Sequence, residues 1–295
     1  MNAPPAEAPG AAEVLAQARA ENFPVASWLF PPRLRPHLLN VYGFARLTDD
    51  IGDEAPGDRT ALLDWLASEL DTVYAGRAAS HELMRRLAAT IGDFDLPRDP
   101  FARLIEANRQ DQKVHRYSTF QELSEYCSLS ANPVGELVLR IAGACTPDRL
   151  ALSDATCTGL QLVEFWQDLG EDAAKGRVYI PLEDLDRFGY GVEELLAGKR
   201  DDRFLRLMAF EAARTRGLLE RGRTLAGTLR GRIGFAVRLF TAGGLAALAD
   251  LERRGFDTFS RSAHASRPRR LAMAVRELAR PNGLVVEPTG RGVGR

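Results

Sequence analysis

Two stretches of the chain carry acidic residues at a spacing that suits cation binding. They read ARLTDDIGDE and FWQDLGEDAAKGR, and each contains two aspartates four positions apart, Asp49 and Asp53 in the first and Asp168 and Asp172 in the second. Residues at this spacing share one face of an α-helix, so each pair directs two like charges the same way. Burial of such a pair is costly without a counter-charge. Mg²⁺ is the natural compensation, because it binds carboxylate oxygens together with water and substrate phosphates.

Cationic and aromatic residues flank both pairs. Arg46 lies one turn before Asp49, Tyr42 lies one turn before Arg46, and Lys175 and Arg177 follow the second pair. A bound diphosphate uses such neighbours, since metals bridge some of its oxygens and Arg or Lys binds others. A single Asp-x-x-x-Asp is more often a solvated helix face, by about four to one. Two matched motifs about 120 residues apart favour a diphosphate site.

The composition indicates a globular protein that does not bind nucleic acid. The chain has 295 residues, 45% of them hydrophobic, and a formal net charge of -1, so it has no excess of positive charge. Three cysteines without a CxxC motif favour a reducing, cytoplasmic compartment. The N-terminus lacks the features of a signal peptide, and no uncharged apolar run reaches the ~20 residues of a membrane span. We expect at most peripheral contact with the inner membrane.

The hydrophobic pattern is helical almost throughout, which predicts a single all-α domain over residues 13–280. Residues 1–12 and 281–295 are predicted to be disordered. Pro133 should kink or divide the helix in which it falls. Each acidic motif also holds a mid-helix glycine, which costs about 1 kcal/mol relative to alanine and suggests a functional reason.

Four segments, in their order and spacing, resemble the squalene/phytoene synthase family of head-to-head prenyl synthases. They are AENFPVASWLFPP, YGFARLTDDIGD, YCSLSANPVGELVL and QLVEFWQDLGEDAAKGRVYIP, and the likeness covers roughly residues 15–280. The resemblance implies the all-α isoprenoid synthase bundle with a central cavity, a prenyl diphosphate substrate and Mg²⁺ as cofactor.

The resemblance also assigns roles to individual residues. It makes Asp49, Asp53, Asp168 and Asp172 the metal ligands, and it places Tyr126 near the cyclopropyl chemistry. A further position that it places at the cavity is Asp111. The substrate-binding positions that follow from the motifs are Asn22, Tyr42, Arg46, Gln161, Glu164, Gln167, Lys175, Arg177 and Tyr179.

The sequence departs from the family pattern at three positions, and in these it is similar to one branch, the hydroxysqualene synthases of bacterial squalene and hopanoid synthesis. Glu164 stands where the family usually has Asn, Gln167 where it has Arg, and Asn22 within a segment that is Ser-Lys-Ser-Phe in diphosphate-binding members. That branch converts presqualene diphosphate and water to hydroxysqualene and diphosphate, without a nicotinamide. It works between a presqualene diphosphate synthase and a flavin-dependent hydroxysqualene reductase.

The mechanism that follows from this likeness ends in capture of a carbocation by water. Aromatic faces stabilise cations, and Tyr126, Phe165, Trp166 and Tyr179 are candidates. Glu164 and Gln167 are expected to position the water, although Glu164 is equally well explained as a partner of the metal or of a lysine.

Three alternatives stay open. One is a condensing synthase that joins two prenyl diphosphates to presqualene diphosphate, phytoene or dehydrosqualene. The second is a terpene cyclase acting on one prenyl diphosphate. The third is a catalytically silent bundle that scaffolds other isoprenoid enzymes, which the two intact aspartate pairs argue against.

Overall fold

The computed structural model describes residues 4–20 and 29–259, and of residues 17–20 the backbone only. This part of the chain is α-helical, and its β pairing is limited to one isolated bridge between Arg116 and Val178. The predicted all-α class is therefore confirmed. The helices are α1 (Ala11–Ala20), α2 (Arg35–Asp53), α3 (Arg59–Tyr74), α4 (Glu82–Phe94), α5 (Asp99–Asp111), α6 (Phe120–Ser130), α7 (Asn132–Ile141), α8 (Pro147–Ala174), α9 (Leu182–Arg187), α10 (Val192–Leu196), α11 (Asp202–Thr228) and α12 (Gly231–Arg253).

Local sequence signals set the limits of α6 and α7. The Thr119 side chain caps α6 by accepting a hydrogen bond from the backbone N–H of Glu122 at 3.2 Å. The Glu122 carboxylate in turn accepts the backbone N–H of Ser118 at 2.7 Å, an arrangement close to a capping box. Pro133 has no N–H to donate, and the helix divides at Ala131 as predicted.

Two large apolar cores and a smaller cluster around Leu139 and Leu225 hold the helices together. The first is mainly aliphatic and joins α2 to α5, with Phe44 and Phe101 in edge-on contact at 5.1 Å between ring centroids. The second surrounds α8 and α11 and contains the largest buried aromatic side chains. There the Trp166 Nε1–H donates to Thr215 Oγ1 at 2.8 Å, which satisfies its polar edge within the core.

Helix α12 is the most apolar long helix of the second half. Within the described residues it is the one helix long and apolar enough, by length and composition, to cross a membrane, and 56% of its apolar stretch is buried in the protein. It packs on α8 and α11. Core packing therefore accounts for its composition.

The predicted domain limits of residues 13–280 stay a prediction. Helix α1 begins at Ala11, and ahead of it the carbonyl oxygen of Pro9 lies 3.1 Å from His81 Nε2. The predicted tail, residues 281–295, lies outside the described residues, as does position 22.

Candidate active site

An acidic pocket of about 310 Å³ opens where α2 and α5 meet α6 and α8. Six carboxylates line it, against two cationic side chains and several polar and aromatic groups. Its lining residues are Asp49, Asp53, Asn108, Asp111, Tyr126, Ser130, Gln161, Glu164, Phe165, Asp168, Asp172, Lys175, Arg177 and Tyr179.

The first aspartate pair stands at the C-terminal end of α2, where the helix dipole is unfavourable for negative charge. Asn108 of α5 donates its side-chain N–H to Asp49 Oδ1 at 3.1 Å. Asp49 is exposed toward the open pocket, although many protein atoms lie near its carboxylate. Desolvation therefore raises the pKa of Asp49 to about 7, with Asp53 adding to the rise and the Asn108 hydrogen bond opposing it.

The second pair occupies the last turns of α8, so it too meets the negative end of a helix dipole. Desolvation, with a contribution from Asp168, raises the pKa of Asp172 to about 6, while Lys175 and Arg177 oppose the rise. In both motifs the fold thus concentrates negative charge that an added cation would stabilise.

The mid-helix glycine of each motif permits a close approach between segments. A Cβ atom at Gly52 would collide with the Asn108 side chain, so this glycine lets α5 bring its amide to Asp49. A Cβ atom at Gly170 would stand 2.5 Å from the carbonyl oxygen of Thr258, in the chain that follows α12. The first glycine thus serves the pocket directly, and the second admits a neighbouring segment.

Arg177 joins the two motifs. It follows the second pair in the chain, but its Nη1 and Nη2 both donate to Asp53 Oδ1 at 3.1 Å. One guanidinium therefore bridges the ends of α2 and α8 across the mouth of the pocket.

Backbone hydrogen bonds attach the segment that carries Arg177 and Tyr179 to the loop between α5 and α6. Its Val178 N–H donates to the carbonyl oxygen of His115 at 2.8 Å, and the Leu182 N–H donates to that of Tyr117 at 2.9 Å. These hydrogen bonds fix the segment beside the loop between α5 and α6.

A buried ion-pair cluster connects the helices next to this segment. Arg214 of α11 donates to Asp184 at 2.7 Å and lies 3.2 Å from the fully buried Glu211. Its guanidinium also stacks over Phe120, 4.0 Å from the ring centroid. The cluster thus ties α9, α11 and α6 together behind the pocket.

Three aromatic rings form one side of the pocket. Phe165 and Tyr179 are stacked, with centroids 3.9 Å apart and planes 5° from parallel, and Tyr126 lies about 6 Å from both. The Tyr126 hydroxyl donates to Asp111 Oδ2 at 2.6 Å. We refer to Tyr126, Phe165 and Tyr179 as the aromatic cluster; such faces stabilise nearby positive charge.

The structure brings most of the predicted site residues together, but not all. Gln167 and Trp166 of α8 do not line the pocket, and Trp166 belongs to the second core. Tyr42 and Arg46 are also absent from the lining, and the Arg46 guanidinium is turned to Asp50, at 2.7 Å from Nε. The predicted position Asn22 lies outside the described residues.

Two lining residues have no counterpart in the sequence predictions, Asn108 and Ser130. Each stands at helical spacing from a residue that was singled out, Asn108 three positions before Asp111 and Ser130 four positions after Tyr126. The rule that such residues share a helix face would have pointed to both.

The carboxylate-rich lining suits a Mg²⁺ ion whose coordination is completed by water and by substrate oxygens. Within residues 4–20 and 29–259, no three His, Cys, Asp or Glu side chains form a group able to enclose a metal ion by themselves. Mg²⁺ usually takes one or two carboxylates together with water and substrate phosphate oxygens. Two carboxylate pairs at helix ends, with carboxylates outnumbering cationic side chains around them, fit that mode.

The chain is similar to characterised relatives over most of its length. The hydroxysqualene synthase of Rhodopseudomonas palustris is 36% identical over 226 residues, which cover 76% of this chain and 77% of that protein. The 15-cis-phytoene synthase of Synechocystis is 32% identical over 270 residues, which cover 85% and 79%.

Solved structures show the same fold. The squalene synthase HpnC from Alicyclobacillus acidocaldarius superposes with a TM-score of 0.80 at 42% identity and covers 84% of this chain and 95% of its own. A dehydrosqualene synthase in complex with ligand also gives 0.80, at 22% identity, over 90% of this chain and 94% of its own. The profile of squalene/phytoene synthases matches residues 16–269. The chain therefore belongs to the squalene/phytoene synthase family of prenyl-diphosphate-processing enzymes and has its helical fold.

Proposed function

We propose that this protein is a hydroxysqualene synthase, which converts presqualene diphosphate and water to hydroxysqualene and diphosphate. The observation that carries the proposal is a pocket in which carboxylates outnumber cationic side chains six to two beside an aromatic cluster. Such a pocket suits an anionic leaving group bound through cations and a carbocation left behind. Similarity to hydroxysqualene synthases at 36% identity supports the choice of reaction.

The diphosphate end of the substrate would lie between the two aspartate pairs. A bound Mg²⁺ supplies Lewis-acid stabilisation of the leaving diphosphate, and Asp49, Asp53, Asp168 and Asp172 are its proposed ligands. Lys175 and Arg177 donate hydrogen bonds to phosphate oxygens. Arg177 also donates to Asp53 Oδ1, so the diphosphate would compete with this carboxylate for the guanidinium.

The carbon skeleton would react against the aromatic cluster. Breaking of the C–O bond leaves a cyclopropylcarbinyl cation, whose rearrangement the π-faces of Tyr126, Phe165 and Tyr179 stabilise. The pocket also presents polar side chains to this cation, among them Glu164 and Gln161. These groups admit water beside the cation, whereas a hydride donor is not needed for the reaction.

A condensing synthase is the second candidate. It is favoured by the phytoene synthase relative, whose match covers 85% of this chain compared with 76% for the hydroxysqualene synthase. The two candidates differ in substrate number and product, so product analysis separates them.

The cellular setting belongs to the same proposal. The substrate would come from a presqualene diphosphate synthase, and the product would pass to a flavin-dependent reductase. We propose a cytoplasmic location, and no observation among the described residues adds support for peripheral membrane contact.

The deciding experiment supplies purified protein with presqualene diphosphate and Mg²⁺ in ¹⁸O-labelled water, without nicotinamide. We expect hydroxysqualene carrying ¹⁸O, and its loss on chelation of the metal. Failure to turn over presqualene diphosphate, together with formation of presqualene diphosphate or a forty-carbon hydrocarbon from prenyl diphosphates, would identify a condensing synthase.

Glu164 provides a sharper test of the pocket. Glu164→Ala should lower the yield of hydroxysqualene while Mg²⁺-dependent binding of diphosphate, measured by calorimetry, survives. Loss of that binding would instead assign Glu164 to the metal site.

A further inference from the structure

Two polar atoms of the acidic pocket are buried without a hydrogen-bond partner. They are Asp111 Oδ1 and Ser130 Oγ, and both belong to lining residues. An unpaired buried polar atom costs about 1–3 kcal/mol, and buried polar groups in native proteins nearly always have a partner. Two such atoms in one pocket therefore point to a small polar ligand in this part of the pocket.

The geometry orients both atoms. Asp111 is the last residue of α5, and its Oδ2 is occupied by the Tyr126 hydroxyl at 2.6 Å, which leaves Oδ1 for another donor. Ser130 is the last residue of α6 and follows Tyr126 by four positions, so both side chains lie on one helix face. Asp111 thus adjoins Tyr126 through a hydrogen bond, and Ser130 adjoins it along the helix.

The chemistry of the two atoms restricts the ligand. A carboxylate oxygen only accepts hydrogen bonds, so its partner must be a donor. An ionised diphosphate and a hydrocarbon chain have no donor to offer. Water donates to the carboxylate and both donates to and accepts from a serine hydroxyl.

We propose that Asp111 and Ser130 hold the water that captures the carbocation, and that Asp111 accepts its proton. This inference rests on the proposed function. The water oxygen forms the new C–O bond with its lone pair, which moves the positive charge from carbon to oxygen, and a proton of the resulting oxonium passes to Asp111 Oδ1. No oxidant or reductant is required, and the carboxylic acid later returns the proton to solvent.

Gln167 and Glu164, the two residues expected from the sequence to position the water, fit this role less well than Asp111. Gln167 does not line the pocket, so it does not position this water. Glu164 lines the pocket but is exposed to solvent, whereas Asp111 is half-buried and fixed by Tyr126. A fixed carboxylate with one oxygen available is the better proton acceptor.

The test measures diphosphate release and hydroxysqualene formation separately, in Asp111→Asn and Ser130→Ala. Hydroxysqualene formed per diphosphate released should fall about a hundredfold in Asp111→Asn and about threefold in Ser130→Ala. The remaining substrate should appear as hydrocarbons, which form when the carbocation loses a proton instead of capturing water. The matched controls are Asp99→Asn on α5 and Ser128→Ala on α6, neither of which lines the pocket.

Three results would overturn the inference. The product ratio would be unchanged in both variants if the water were held elsewhere. Diphosphate release and Mg²⁺-dependent diphosphate binding would fall together in Asp111→Asn if Asp111 were a metal ligand. Wild-type protein that forms no hydroxysqualene would refute the proposed function itself, and the inference with it. Because Ser130→Ala makes a small change at a helix end, it tests the inference even where Asp111→Asn does not fold.

Discussion

Two of the places where the fold brings acidic side chains together differ in their counter-charge. In the acidic pocket the carboxylates face solvent and outnumber the cations. Behind the pocket, Asp184 and Glu211 are buried, and Arg214 contacts both of them. The first arrangement is incomplete without a bound cation, and the second carries its own. Convergence of carboxylates thus points to a ligand only where the protein has not supplied the counter-charge.

The largest effect is expected from breaking the buried cluster. Arg214→Met would leave the buried carboxylate of Asp184 without its cation, which costs about 3 kcal/mol in the free energy of unfolding. Urea denaturation measures this loss. The control is Arg216→Met, on the same helix, whose ion pair with Glu252 is partly exposed and contributes little. Equal losses in the two variants would contradict the distinction.

Asp49→Asn should affect activity instead of stability. Removing one pocket carboxylate lowers turnover of presqualene diphosphate by about a hundred- to a thousandfold, because the leaving group loses part of its stabilisation. The melting temperature should stay the same or rise, since one of several like charges is removed. Asp64→Asn, which alters an ion pair with Arg109 outside the pocket, is the control. A fully active Asp49→Asn protein would disprove the metal assignment.

Arg177→Gln should weaken binding of Mg²⁺ and inorganic diphosphate about tenfold. The side chain is one of two cations of the pocket, and the ligand competes with Asp53 for its guanidinium. Isothermal titration calorimetry measures the change, with Arg86→Gln as a control at an exposed helix pair. Tighter binding in Arg177→Gln would mean that the Asp53 pair competes with the ligand more than the guanidinium assists it.

The smallest effect concerns pH. Desolvation is the main cause that raises the pKa of Glu211 to about 8, from an ordinary value of 4.5. Between these values the folded state binds more protons than the unfolded state, so stability falls as pH rises through this window. Glu211→Gln should remove this loss of stability with rising pH. At the alkaline end of the window, the melting temperature of the variant should be about 2–4 °C above that of the wild type. Glu220→Gln, exposed on the same helix, should keep the wild-type slope; identical slopes in all three proteins would contradict the assignment.

Helical geometry explains how far the sequence predicted the site. Gln161, Glu164, Asp168 and Asp172 are three or four residues apart, and all line the pocket. Gln167 is one position from Asp168, about 100° around the helix, which directs it away. It is also three positions after Glu164, which lines the pocket, so helical spacing alone did not settle its place.

Other placements depended on tertiary structure. Tyr42 shares the helical face of Asp49 but lies about 10 Å away along α2, and the pocket does not extend that far. The contact of Asn108 with Asp49 depends on how α5 packs against Gly52, which no local pattern encodes. The pairing of Arg177 with the first motif rather than the second is likewise a property of the assembled helices.

The ion pair between Arg177 and Asp53 has a consequence for folding. It joins residues 124 positions apart in the chain, and closure of such a long loop precedes any gain from the contact. Individual helices can form within microseconds from local contacts alone, whereas the pocket exists only once the two halves of the chain have docked. During refolding, helical structure should therefore return well before the capacity to bind diphosphate.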